Sequence, residues 1–233
     1  INRYVRGTSA DEDAVQSLGD FGRFPTWMWR NADVLDFVGW LRTHNDGRPS
    51  SQRAGFYGLD LYSLRASTHA VLTYLDKVDP DAALRARRRY GCFDQFGENL
   101  QEYGYVANLG LHPSCEREGV AQLVDLHRQR LAYASRDGRV AADDFFFAEQ
   151  NARLVTNAEA YYRTMFRGRN ESWNLRDQHM FATLRAIEQR AAGGVIVWEH
   201  NSHVGDGSAT EMASRGESNV GQLCREAYGD DAY

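Results

Sequence analysis

The sequence has no long apolar run and no large excess of charge of one sign. No apolar stretch approaches the ~20 residues that a membrane span needs, and residues 1–30 lack the charged and then apolar pattern of a signal peptide. The 27 basic and 32 acidic side chains are mixed along the chain and give a net charge of -5, so no strong field attracts phosphate backbones or anionic lipids. We therefore expect a cytoplasmic protein with no nucleic-acid partner and no membrane partner.

Cysteine is scarce, and several well-known catalytic motifs are missing. Cys92, Cys115 and Cys224 are odd in number and far apart, which fits neither a zinc motif nor a dense disulfide framework and predicts three reduced, mostly structural thiols. There is no Gly-x-Ser-x-Gly elbow for a serine nucleophile. The glycine-rich motifs that bind dinucleotides or nucleoside triphosphates are also absent.

Apolar residues make up 42% of the chain, enough for a sizeable core, and much of it has helical spacing. The apolar periodicity, with Asn, Pro and Gly at element ends, predicts helices over Asn31–Asn45, Leu64–Lys77, Asp79 to Tyr90, Pro113–Ser135, Asp143–Phe166 and Gly216–Tyr228. The turn residues Arg136-Asp137-Gly138 predict that the fourth and fifth of these form an antiparallel hairpin.

Two short apolar runs, Gly55–Leu61 and Val195–Trp198, have the character of buried strands. They predict an α/β fold with a mainly parallel sheet and large helical insertions, predominantly helical in this chain, with residues 64–192 inserted between two core strands. A sheet usually has about four to six strands, and the chain begins with Ile1 rather than Met. We therefore expect residues 1–233 to be a single domain that is incomplete at both ends.

Polar side chains follow both predicted strands, where open α/β sheets bind their ligands. The first strand leads to Asp60, Tyr62 and Ser63, and the second leads to Glu199, His200, Asn201, His203 and Asp206. The two histidines are candidates for acid–base catalysis near neutral pH. Structural hydrogen bonding is an alternative, and a metal bound together with Glu199 or Asp206 is a third.

Arg176 and an aromatic loop complete the set of candidate residues. Arg176 has helical spacing with Met180 and Leu184, so its guanidinium should face inward and needs an anion, either the carboxylate of Asp60 or a substrate oxygen. In the same segment Asn174 is a candidate helix cap, and His179 fits a satisfied core histidine. The loop Asp20–Trp29, which contains Trp27 and Trp29, either packs as a lid or lines a pocket for an apolar ligand.

Five segments resemble the erythromycin esterase family. They are Asn2–Gly7, the Phe24-Pro25-Thr26-Trp27-Met28-Trp29 loop, Phe56–Asp60, Asn174–Met180 and Trp198–Asp206. The family pattern after the last strand reads Trp-Ala-His-Asn-x-His, and here Glu199 replaces the alanine. That carboxylate is next to His200 in sequence and would raise the pKa of the imidazole by favouring its charged form.

The resemblance implies hydrolysis of a small-molecule ester by a histidine-activated water, without a metal or other cofactor. In characterised family members, which confer macrolide resistance on bacteria, the ester is a macrolide lactone. The resemblance assigns catalysis to His200, His203 and Arg176. From the polar strand ends and the aromatic loop we expect substrate binding by Asp60, Tyr62, Asn201, Trp27 and Trp29. The water-activating histidine of the family lies in an upstream motif that this chain lacks, so we expect the chain alone to be inactive.

A different class of function also fits the residues. The aromatic loop could hold an apolar ligand while the histidines contact a cofactor such as haem, in an α/β binding protein without hydrolase activity.

Overall fold

The computed structural model describes residues 1–22, 26–97, 99–134, 139–191 and 193–233. The α-helices in these ranges are α1 (Asn2–Val5), α2 (Ala14–Ser17), α3 (Ala32–Asp46), α4 (Leu64–Val78), α5 (Pro80–Tyr90), α6 (Leu100–Asn108), α7 (Glu116–Arg128), α8 (Arg130–Ala134), α9 (Arg139–Thr164), α10 (Arg169–Glu188), α11 (Asn201–Val204), α12 (Glu211–Ser214) and α13 (Val220–Tyr228). Short 3-10 helices cover Thr26–Met28, Ser50–Gln52, Gly91–Phe96, Gly207–Ala209 and Gly229–Asp231. None of the helices in the described part of the chain combines the length and the apolar character that a membrane crossing requires.

The chain divides into two compact units, and the first, Ile1–Gly58, is built around α3. The side chain of Asn31 accepts a hydrogen bond from the backbone of Val34 (2.9 Å), which confirms the predicted start of this helix. The buried Asn45 near the other end donates to the carbonyl oxygens of Val5 (2.8 Å) and Ala54 (2.9 Å). One amide therefore holds three segments of this unit together. Its core consists of Tyr4, Val5, Ala14, Leu18, Val34, Val38 and Leu41.

In the second unit, Leu59–Tyr233, α4, α6, α7 and α10 all pack against α9. The buried residues on α9 are mostly small and share one face: Phe145, Ala148, Ala152, Val155, Ala158 and Tyr162. Small side chains let neighbouring helices approach closely. Gly104 of α6 gives the clearest case, because a Cβ atom at this position would overlap the carbonyl oxygen of Tyr162.

A buried polar group crosses the same interface between α6 and α9. The hydroxyl of Tyr103 donates to Oε1 of Glu159 (2.5 Å) and accepts from the backbone N–H of Cys115 (2.9 Å). Arg163 pairs with Glu159 from one turn further along α9 (2.9 Å). The pKa of Tyr103 is raised above its ordinary value, mainly by burial and secondly by the hydrogen bond to Glu159. The phenol therefore stays neutral and remains a hydrogen-bond donor.

The predicted parallel sheet is wrong. No residue in the described ranges is in a β-strand, so neither Gly55–Leu61 nor Val195–Trp198 forms a strand there. The exposed fraction of Ile196 is 95%, so the second run is not the centre of a sheet. The apolar composition of the two runs suits a β-strand, but a segment becomes a β-strand only when it pairs with another segment. The expectation of a predominantly helical chain agrees with the structure.

The other differences from the predictions are smaller. The helix predicted over Pro113–Ser135 is divided into α7 and α8, and the predicted turn Arg136-Asp137-Gly138 lies outside the described residues. The expectation of three reduced thiols is also wrong, because Cys92 and Cys115 form a disulfide (Cα–Cα 6.0 Å). These two cysteines are 23 positions apart in sequence. Their spacing therefore gave no sign of the disulfide, and only the tertiary structure shows that they are neighbours. Cys224 is a free thiol.

Candidate active site

The candidate site is centred on a buried carboxylate–imidazole pair between α10 and α11. Nδ1 of His203 lies 2.8 Å from Oδ1 of Asp177, and both side chains are buried. Since a carboxylate oxygen only accepts, Nδ1 donates the hydrogen bond. In the neutral imidazole this leaves Nε2 as a proton acceptor. The backbone N–H of Val220, at the start of α13, also donates to Asp177 Oδ1 (3.1 Å).

The imidazole ring is fixed in orientation as well as in tautomer. The indole of Trp173 stacks on His203 with ring centroids 4.9 Å apart and an interplanar angle of 8°. The indole N–H is itself held by the carbonyl oxygen of Ser218 (2.8 Å). A ring that is stacked on one face and hydrogen-bonded at one edge has few alternative rotamers, which is what a positioned acid–base group requires.

Arg176 forms a bidentate pair with Asp60. Its Nε and Nη2 donate to the two oxygens of Asp60 at 2.9 and 2.8 Å, and its guanidinium lies 4.7 Å from the centre of the Tyr62 ring. The protein carboxylate considered in the sequence analysis is therefore the partner of Arg176. The remaining nitrogen, Nη1, lies 3.4 Å from Nε2 of His203. Although burial lowers the pKa of Arg176, its hydrogen bonds to Asp60 raise it overall, so the cation is permanent.

Tyr62 is part of the same arrangement. Its hydroxyl lies 3.0 Å from that of Tyr161 on α9, and burial raises its pKa well above the ordinary value. Tyr62 therefore contributes a neutral hydroxyl and an aromatic face, not a charge.

Glu199 is a buried carboxyl group at the edge of this cluster. Both of its oxygens are shielded from solvent and have no hydrogen-bond partner among the described residues. Burial raises the pKa of Glu199 to about 7. The imidazole of His203 opposes that rise, whereas Asp177 and Asp60 add to it and Arg176 again lowers it. The sequence placed this carboxylate next to His200, but in the structure the imidazole that acts on it is that of His203.

His200 and Asn201 lie at the exposed start of α11. Nδ1 of His200 accepts from the backbone N–H of Ser202 (3.2 Å) and lies 2.9 Å from its hydroxyl. This histidine therefore caps α11, which is the structural hydrogen bonding considered above. Asp206, the other acid considered as a metal ligand, caps the next 3-10 helix through Ser208 (3.0 Å). In the described part of the chain, no group of three or more His, Cys, Asp or Glu side chains is arranged to hold a metal.

The remaining predicted site residues belong to other parts of the chain. Trp27 and Trp29 lie in the first unit, where Trp27 is exposed and Trp29 packs against the core. Phe24 and Pro25 of the same loop are outside the described residues. Two surface cavities of 590 and 290 Å³ lie along α7, and neither is lined by the residues of the cluster.

Two features of α10 differ from the sequence analysis. The helix begins at Arg169, so Asn174 is not its cap. Asn174 accepts instead from the backbone of Ser218 (2.8 Å). Asp177, which the sequence analysis did not assign to the site, is its most deeply buried member. The spacing from Asp177 to Met180 and Leu184, both buried, is the signal that could have found it.

His179 agrees with the prediction of a satisfied core histidine. Asn157 Nδ2 donates to its Nδ1 (2.8 Å), which requires an unprotonated nitrogen. Burial lowers the pKa of His179 to about 4, an effect that Asp60 opposes and Arg153 reinforces. His179 is therefore neutral near physiological pH.

A family model described as "Erythromycin esterase" matches residues 1–233. The chain is also similar to a solved Bacillus cereus protein, with a TM-score of 0.74 and 17% identity over 98% of this chain and 52% of that one. A second solved structure, described as a succinoglycan biosynthesis protein, gives a TM-score of 0.64 and 19% identity over 94% of this chain and 53% of the other. The chain thus spans about half the length of these two structures, and at such low identity the likeness concerns the fold alone.

Proposed function

Because this chain belongs to the erythromycin esterase family, we propose that it contributes a histidine-centred site to a hydrolase that cleaves an ester of a small molecule. The observation that carries the proposal is the chain of contacts from Asp177 through His203 to Arg176 and Asp60. It links a candidate base, with its orienting carboxylate, to a permanent cation.

The resemblance gives the activation of water to an upstream histidine, and we propose His203 for this role instead. In the proposed reaction, a water molecule attacks the carbonyl carbon of the ester and loses a proton to Nε2 of His203. Asp177 stabilises the imidazolium that forms. Asp60 holds two nitrogens of Arg176, so Nη1 is free to exchange its long contact with His203 for a hydrogen bond to the oxyanion. When the C–O bond breaks, His203 returns the proton to the leaving alcohol oxygen, and the acid and the alcohol are released.

The other candidate residues have supporting places in this proposal. Tyr62 and Asp60 fix Arg176, whereas His200 and Asn201 stand at the exposed start of α11, where a substrate would approach. Trp27 and Trp29 are assigned to substrate contact because their aromatic loop suits an apolar ligand. The proposal extends to a macrolide lactone as the substrate, in a bacterial protein that confers resistance.

The cytoplasmic location expected from the sequence conflicts with one structural feature. Disulfides such as Cys92–Cys115 are rare in reducing compartments. Alkylation of thiols during cell lysis distinguishes a cytoplasmic from an exported protein. All three cysteines would be alkylated in a cytoplasmic protein, and only Cys224 would be alkylated in an exported one.

The experiment is incubation with erythromycin, followed by mass spectrometry for a product that has gained one water. It compares this 233-residue chain with a longer natural form that includes the upstream family motif. In the form that hydrolyses the lactone, we expect His203→Ala to abolish product formation and His69→Ala, which replaces an exposed histidine on α4, to leave it unchanged. A fully active His203→Ala protein would overturn the assignment. If neither form hydrolyses the lactone and haem produces a shifted Soret band, the ligand-binding class replaces the hydrolase.

A further inference from the structure

Asn219 is a buried residue directly before α13, and both ends of its side-chain amide are hydrogen-bonded. Its exposed fraction is 2%. Oδ1 accepts from the backbone N–H groups of Gln222 (2.9 Å), as a helix cap does, and of Gly207 (3.2 Å). Nδ2 donates to the carbonyl oxygen of Ser202 on α11 (2.9 Å). The side chain therefore does more than cap α13, because it also binds the helix that carries His203.

The contact with Ser202 fixes the backbone of His203. The carbonyl of Ser202 and the N–H of His203 belong to one planar peptide group. Asn219 binds the oxygen of this group, and the carbonyl oxygen of His200 accepts from its N–H (2.9 Å). A peptide group that is bound at both ends cannot rotate without the loss of a hydrogen bond, so the Cα atom from which the imidazole projects is held in place.

The two peptide groups that flank Asn219 bind the other supports of the imidazole. The group before it presents the carbonyl oxygen of Ser218 to the indole N–H of Trp173 (2.8 Å), whose ring stacks on the imidazole. The group after it presents the N–H of Val220 to Oδ1 of Asp177 (3.1 Å). One residue is thus connected to the stacked ring, to the orienting carboxylate and to the backbone of the histidine.

The residue type and the close packing both suit this role. Serine and threonine also cap helices, but their single oxygen cannot occupy the places of both amide atoms, and an ionised aspartate only accepts. A Cβ atom at Gly221 would overlap the carbonyl oxygens of Val204 and Gly205. Glycine at that position lets α13 come near enough to α11 for the amide of Asn219 to reach Ser202.

We propose that Asn219 is a positioning residue of the candidate site, which keeps the imidazole of His203 in one orientation and one tautomer. Its side chain acts on the backbone of the histidine, and its two peptide groups act through Trp173 and Asp177. The part that the positioned imidazole takes in ester hydrolysis rests on the function proposed above, whereas the positioning itself does not. The two proposals can therefore fail separately.

The test is NMR of the His203 imidazole in the 233-residue chain, with no substrate present. In the wild type, Nδ1–H should give one downfield proton signal that is protected from exchange with water, because it is hydrogen-bonded to a buried carboxylate. Asn219→Asp and Asn219→Ser both keep a cap for α13 and lose the amide donor. In both we expect this proton to exchange about tenfold faster, the size expected when a buried carbonyl oxygen loses its donor.

The two variants and a control separate the amide from other effects. Asn219→Asp adds a charge and Asn219→Ser does not, so a change common to both reflects the lost donor. Asn99→Ser replaces an exposed asparagine that caps α6 and should leave the signal of His203 unchanged. Wild-type exchange of the His203 proton in both Asn219 variants would overturn the proposal.

Hydrogen exchange in the wild-type chain gives a test that does not depend on how well the variants fold. The imidazole Nδ1–H of His203, the indole N–H of Trp173 and the backbone N–H of Val220 should become exposed together. We expect their protection factors to lie within about tenfold of one another, as in one cooperative unit. A larger difference would show that the three groups have no common support and would also overturn the proposal.

Kinetics of the longer natural form that hydrolyses the ester separate this proposal from the proposed function. Asn219 is buried and its amide binds protein groups, so we expect Asn219→Ser to lower kcat by at least about tenfold and to leave KM unchanged. Faster exchange of the His203 proton with an unchanged kcat would support the positioning and reject His203 as the base of the reaction.

Discussion

Asp177 and His203 are 26 positions apart in sequence and are joined by a 2.8 Å hydrogen bond in the interior of the second unit. This contact fixes which imidazole nitrogen carries the proton. In Asp177→Asn, an amide N–H can face Nδ1 and stabilise the tautomer in which Nε2 is protonated and unable to act as a base. In the form that hydrolyses the ester, we expect kcat to fall by at least about a hundredfold.

The matched control for this prediction is Asp206→Asn, which alters a partly exposed carboxylate that caps a 3-10 helix. Circular dichroism establishes that both variants are folded. If Asp177→Asn keeps the wild-type kcat, His203 is not the proton acceptor in the reaction.

A second prediction concerns Glu199 and stability. Its pKa rises from 4.5 to about 7 on folding, so its contribution to stability is complete below pH 4.5 and is lost as pH rises through about 7. Glu199→Gln cannot ionise and escapes this loss. We expect the free energy of unfolding of Glu199→Gln to gain about 2 kcal/mol on wild type between these limits, a value reduced for partial solvent exposure.

Urea unfolding at a series of pH values measures this difference, and Glu226→Gln, which removes an exposed carboxylate of α13, serves as the control. Parallel curves for wild type and Glu199→Gln across the whole range would mean that the carboxyl group ionises freely in the folded protein.

Local sequence signals were sufficient for much of the helical structure. In α3, the cap Asn31 and the buried residues Val34, Val38 and Leu41 lie within a few turns of one another. The interactions that form this helix are therefore local, and the sequence pattern is enough to predict it. The run Val195–Trp198 shows the opposite case. Its composition suits a strand, but a strand depends on pairing with another segment, and no residue in the described ranges is in a β-strand.

The candidate site was partly predictable for the same reason. Helical phase placed Arg176 facing inward and suggested Asp60 as its partner, and the two indeed form a bidentate pair. The sequence could not show that α11 leaves His200 at the surface and turns His203 towards Asp177. That depends on how α10, α11 and α13 pack.

A third prediction concerns His179, whose pKa falls from 6.5 to about 4 in the folded protein because of burial. A depressed histidine pKa stabilises the fold above pH 6.5, and this contribution is lost as the pH falls towards about 4. We expect His179→Gln to remove this acid sensitivity, so that its free energy of unfolding loses about 3 kcal/mol less than wild type over that interval. The control is His69→Gln, at an exposed position on α4.

The two effects have opposite signs over overlapping pH ranges. Acidification removes the contribution of His179 while it restores that of Glu199, so the wild-type protein should show a flatter pH dependence than either variant. The double variant Glu199→Gln with His179→Gln should again be nearly flat. A steep wild-type curve combined with unchanged single variants would contradict both assignments.

The final prediction concerns the buried contact between α6 and α9. In Tyr103→Phe, Glu159 loses a donor and the N–H of Cys115 loses its acceptor, yet the apolar ring stays in place. Leaving buried polar groups unpaired costs about 1–3 kcal/mol each, and Arg163 still pairs with Glu159. We therefore expect the free energy of unfolding, measured in urea, to fall by about 2 kcal/mol, mainly because the backbone N–H of Cys115 is left without an acceptor.

Tyr105→Phe is the control on the same helix. The side chain of Tyr105 is half exposed (53%), and its ring contact with Phe166 does not need the hydroxyl. Equal stabilities of the two variants would show that the Tyr103 hydroxyl adds nothing to the interface beyond its aromatic ring.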